Sequence, residues 1–221
     1  GTAATGAVAA AFGLGVYFGP SVQSIFRGGA VAAVNPSVVI APTAAEIAGS
    51  SVPDQTEAVI PSSGVELPVT WGDLGKQMAE AGVIDRQQFV YLYNERPGFG
   101  PAEQKLLDDD DNGRLKITPE NSGFLLNLLW ALGLGNKNPI LDTGPMVDER
   151  YGGAGGFAST GGWSLAKGQP MDHYSKHAFI KLSKKEQALV ERVSQGIYRP
   201  CCNNSTYFPD CIHGMAFLGL L

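Results

Sequence analysis

The sequence predicts a mainly α fold with long irregular loops, made of an N-terminal apolar helix, a proline-rich spacer and a compact helical domain. Three observations carry this reading. No charged side chain occurs from Gly1 to Phe26. Pro36, Pro42, Pro53, Pro61 and Pro68 punctuate the stretch that follows. From Val69 onward, apolar residues recur at helical spacing behind capping residues.

Residues 1–27 are small or apolar up to Pro20, and Arg27 is the first charged residue. A membrane-spanning helix needs about 20 mostly apolar residues. The run is therefore read as a membrane anchor, a transmembrane helix with its domain extracytoplasmic. The remnant of a signal sequence and a buried or interface helix are the alternatives, since no positive flank precedes it. Residues 28–68 carry only Glu46, Asp54, Glu57 and Glu66 as charges. Their prolines block long helices and central strands, so an extended spacer is expected, with short β pieces at Ala30–Ile40 and Ala58–Ile60.

The domain is expected over 69–221. Thr70 caps a first helix through Trp71, Leu74 and Met78, closed by Gly82. Asp85 caps a second, bearing Phe89, Val90 and Tyr93, and Pro101 to Leu107 forms a third. Thr118-Pro119-Glu120 opens a fourth, whose body from Phe124 to Leu134 is apolar on nearly every side and so belongs to the core. A glycine-rich loop spans 144–169. Ser183 and Glu186 form a capping box for a helix to about Ile197. Asp210 starts a last apolar helix, and the chain reaches Leu221 with no stop signal, which reads as a cut end.

Among 221 residues there are 29 Gly and 14 Pro, nearly a fifth of the chain, and 17% are charged. The usual figures are about 12% and about 25%. The glycines have no three-residue period, which excludes collagen. Net charge is −5, and basic residues are scattered. A nucleic-acid surface needs clustered cations to replace counterions, so nucleic acid is excluded as a partner. Gly153 to Ala158 formally fits a dinucleotide-binding glycine pattern, but no buried strand precedes it and nucleotide is excluded as well.

The three cysteines, Cys201, Cys202 and Cys211, fall within eleven residues, followed by His213 and Met215. An odd count cannot pair fully within one chain. Thiolate, thioether and imidazole ligands in one stretch suit copper(I), zinc or haem iron, with copper or zinc first. Arg199 lies just before the pair, and Cys211 sits in the first turn of the last helix; both features favour thiolate. In a regular helix Met215 shares a face with Cys211 while His213 points elsewhere. His173 and His177, the other two histidines, stand four apart. On a helix they would meet one ion; on a strand they would lie roughly 13 Å apart at ~3.3 Å per residue.

Two further signals are local. Asp108, Asp110, Asn112 and Gly113 resemble the front half of an EF-hand calcium loop, with Pro119 in the twelfth place and Glu120 one residue late. Asn203 and Asn204 each open a glycosylation sequon. The leading expectation is a membrane-anchored metal-binding protein. Copper or zinc would sit on Cys201, Cys202, Cys211 and His213, with His173, His177 and Met215 as extra ligands, for metal carriage or electron transfer. The alternatives are a thiol enzyme with Cys211 activated, or a structural subunit of a membrane assembly with membrane-protein partners.

Overall fold

The computed structural model describes residues 59–221. The expected apolar helix over 1–27 and most of the 28–68 spacer, including the β pieces at 30–40, lie outside the described residues. Among those described, no helix is long and apolar enough to cross a membrane.

The first element is a strand. β1 (Val65–Gly72) pairs antiparallel with β2 (Asn112–Ile117), Val65 opposite Ile117 and Gly72 opposite Asn112. Thr70 and Trp71 therefore end a strand and do not start a helix. Leu67, Val69 and Trp71 alternate inward in period two, a pattern that Pro68 interrupts in the sequence but not in space. Proline has no N–H to give the ladder, and the register slips between Glu66 and Thr70, where it sits. Val59 and Ile60 are not strand, and β1 starts inside the last residues of the 28–68 segment.

Three short helices fill the connection between the strands: α1 (Leu74–Glu80), α2 (Arg86–Tyr93) and α3 (Pro101–Asp108). The Asp85 side chain accepts from the backbone N–H groups of Gln87 and Gln88, as its position before α2 requires. α4 (Ser122–Gly135) begins four residues after Thr118, because Thr118 and Asn121 close a turn on each other first. The Asn121 N–H donates to Thr118 Oγ1 at 3.3 Å and the Thr118 N–H to Asn121 Oδ1 at 2.8 Å. After α5 (Pro139–Thr143) the chain runs through short 3-10 turns across the glycine-rich region. α6 (Lys184–Gly196) carries the expected capping box: the Glu186 N–H donates to Ser183 Oγ, and the Ser183 N–H to Glu186 Oε2. A small hairpin, β3 (Tyr198–Arg199) with β4 (Asn204–Ser205), leads into α7 (Ile212–Leu220).

α4 and α7 form the centre. Both are apolar on nearly every side, and Leu125, Leu128, Leu134, Met215 and Leu218 are buried between the other elements. Their backbones touch through glycine. A Cβ on Gly219 would meet the Leu129 carbonyl and lie 2.7 Å from the Gly133 nitrogen; one on Gly133 would meet the Met215 carbonyl. An aromatic group of Phe89, Tyr93, Phe99 and Phe124 packs beside them, and the Trp130 and Trp163 indoles donate to the Ser159 and Val83 carbonyls.

Candidate metal centre

The β3–β4 hairpin and the start of α7 bring the three cysteines together. The sulfurs of Cys201, Cys202 and Cys211 all lie within 4.8 Å of one another, with Cys201 and Cys202 at 3.3 Å. All three are free thiols; Cys201 is exposed and the others half-buried. Among the described residues this is the one group of three or more histidine, cysteine or carboxylate ligands close enough to share an ion. Three sulfurs on one ion at about 2.3 Å would stand about 4 Å apart, so small side-chain shifts suffice.

Cys211 is the N-cap of α7, one residue later than the sequence suggests. Asp210 does not cap because its carboxylate is taken: Oδ1 accepts from Arg199 Nη2 at 2.9 Å and Oδ2 from Asn204 Nδ2 at 2.9 Å. The Cys211 sulfur assumes the capping role and accepts from the Gly214 N–H at 3.4 Å.

Arg199 holds this arrangement from below. Only 4% of it is exposed. Nη1 donates to Cys211 Sγ at 2.7 Å, and the two N–H bonds of Nη2 are shared among four acceptors around it, Asn204 Oδ1, Asp210 Oδ1 and the Ser205 and Phe208 carbonyls. Nε is buried without a partner. Gly214 makes room for the guanidinium, since a Cβ there would come to 2.6 Å from Cζ. Arg199 is legible as a cation near the thiols. Asn204 and Gly214, which complete its cage, carry no local sequence signal, because their role exists only once the hairpin folds back on α7.

The environment separates the thiols electrostatically. Partial burial acts to raise the Cys211 thiol, but the Gly214 N–H, the Cys202 thiol, the Arg199 guanidinium and the His213 N–H outweigh it and hold its pKa below the ordinary value. The nearby Cys211 sulfur first, and desolvation second, push the Cys202 thiol up to about 12. The pair thus favours one thiolate, on Cys211, steadied by one thiol.

The other candidate ligands lie elsewhere. His213 is exposed on the first turn of α7 and lines an apolar groove of about 610 Å³ with Leu126, Ala216 and Phe217. Met215 is fully buried in the core. His173 and His177 do meet, by neither a helix nor a strand: a turn through Ser175, at φ +51°, brings His173 Nδ1 to 3.1 Å from His177 Nε2. His173 Nε2 is 2.9 Å from the Lys167 carbonyl, which can only accept. His173 Nε2 therefore donates to that carbonyl, which leaves its Nδ1 facing His177 Nε2.

The acidic loop is followed by β2, not by a helix. Asp108 pairs with Arg86 and Asp110 with Lys76, and the Asn112 amide donates to the Gly72, Lys105 and Asp109 carbonyls. No three carboxylates of this loop, Glu120 included, come within reach of a common ion. At the hairpin tip Asn203, at φ +54°, accepts from the Tyr198 hydroxyl, while the Asn204 amide is locked between Arg199 and Asp210.

No family model matches the chain, and no curated protein or solved structure matches it. The chemistry of the site stands on its geometry.

Proposed function

We propose that the protein carries a single copper or zinc ion on Cys201, Cys202 and Cys211. The observation that supports this is the convergence of three free sulfurs within 4.8 Å at a helix N-terminus. Soft thiolates select copper(I) and zinc among the common metals. No imidazole or carboxylate of the described residues joins the three sulfurs. Zinc seeks four ligands, so it would need one from solvent or a partner, whereas copper(I) is satisfied with soft sulfur donors alone. Copper(I) is the better fit.

Arg199 contributes its charge. Three thiolates around a monovalent ion leave an excess of two negative charges, and a buried guanidinium 2.7 Å from one sulfur offsets part of it. Cys201 is exposed, which leaves the ion open to exchange and favours carriage over electron transfer. Attachment to a membrane on the extracytoplasmic side belongs to the same proposal and rests on the uncharged residues 1–26 alone.

Titration of the reduced full chain with copper(I) against a competing chelator tests the reading. One ion per chain is expected, with affinity falling at least tenfold in Cys202→Ser and in Cys211→Ser. Absence of binding, or binding unchanged in both variants, would overturn it.

A further inference from the structure

We propose that Cys202 and Cys211 form a dithiol switch: a low-molecular-weight disulfide joins them, and the loss of two donors frees the bound ion. The release rests on the metal-binding reading above; the joining does not.

Geometry selects this pair from the three available. Cys201 and Cys202 are neighbours, and adjacent Cα atoms across a trans peptide stand ~3.8 Å apart. Disulfides usually span about 4.4–6.8 Å between Cα atoms, so the vicinal bond is strained in spite of the 3.3 Å between its sulfurs. Cys211 comes from a separate element, the start of α7, and its sulfur lies within 4.8 Å of both others. Of the two, Cys202 is half-buried, as Cys211 is. Cys201 is the more exposed and points the cluster toward solvent.

The first attack belongs to Cys211. Arg199 Nη1 and the Gly214 N–H both donate to its sulfur at the positive end of α7, where negative charge on sulfur is stabilised. The Cys211 thiolate attacks one sulfur of the small disulfide; that S–S bond breaks, a mixed disulfide forms on Cys211, and one small thiolate leaves. Cys202 then gives its proton to the departing thiolate and attacks Cys211 Sγ, which expels the second small thiolate. In balance, two protein thiols become one disulfide, and the reagent takes two electrons and two protons as two thiols.

The test uses the full chain, reduced and metal-free, treated with oxidised glutathione and mapped by proteolysis after alkylation. Alkylatable thiols should fall from three to one, with Cys201 free and Cys202 linked to Cys211. Cys202→Ser should stop at a glutathione adduct on Cys211. A Cys201–Cys202 link, an adduct confined to Cys201, or three thiols left intact would overturn the proposal. In a second arm the chain is loaded with zinc, which has no redox chemistry of its own. One zinc released per crosslink is the expected result, and a crosslinked chain that keeps its zinc overturns the release. A chain that never takes up metal but still forms the Cys202–Cys211 bond overturns the metal reading and supports the dithiol chemistry.

Discussion

The Arg199 guanidinium donates to the Cys211 sulfur at 2.7 Å from within the protein, so the thiol that caps α7 also rests on a buried cation. The same guanidinium binds Asp210, which leaves Cys211, not Asp210, to cap the helix. One side chain thereby fixes the hairpin, the helix start and the charge at the cluster.

Arg199→Met should destabilise the fold and disarm Cys211 together. Removing one partner of a fully buried ion pair costs about 3–5 kcal/mol. Asp210 is 23% exposed, so water screens part of the loss and about 2–3 kcal/mol is expected from denaturant unfolding. The Cys211 pKa should rise, read as slower alkylation at neutral pH.

Gly214→Ala should act on the site with less effect elsewhere. Its methyl group would occupy the guanidinium's place, so Arg199 must withdraw from Cys211. Loss of the low Cys211 pKa, with the helical circular dichroism signal kept, is the expected result; an unchanged alkylation profile would count against Arg199 as a cause.

The thiols should react in order. With Cys211 held below and Cys202 pushed above the ordinary thiol value, alkylation near pH 8 labels Cys211 ahead of Cys202. Blocking Cys211 removes its negative charge, and Cys202 should then react faster than it does in the untreated protein.

Acid should weaken the fold through the histidine pair. Burial first, then the charges of His173 and Lys176, lower the His177 pKa. The unfolded chain thus takes up this proton first, at about 6.5, and stability falls as pH drops below that value toward the lower folded pKa. Above it both states are neutral and the effect vanishes. The acid loss should shrink in His177→Gln, measured by thermal unfolding at pH 5 and 7.

Gly219→Ala should force α4 and α7 apart, since its Cβ would meet the Leu129 carbonyl and the Gly133 backbone. Overpacking of this kind costs about 1–3 kcal/mol. Backbone cannot yield as a flexible side chain does, so the upper end is expected.

Local rules read the helices well. Asp85 and Ser183 cap where their spacing places them, and the apolar run of α4 lies in the core. They miss β1, because Pro68 masks its alternation and its partner β2 lies some forty residues on, where four aspartates suggest a calcium loop. The cysteine cluster was legible as composition: three sulfurs in eleven residues. Its closure depends on Arg199, Asn204 and Asp210, whose mutual bonds no spacing announces. His213 is not among the ligand atoms that lie within 4.8 Å of one another, and its side chain lines the apolar groove beside α7.

X-ray absorption at the copper edge of the copper(I)-loaded full chain tests the central claim most directly. Three sulfur neighbours and no nitrogen are expected, with the signal lost when Cys202 and Cys211 are both replaced by serine. A first shell containing imidazole nitrogen, or one unchanged by that double replacement, would contradict a site built on Cys201, Cys202 and Cys211.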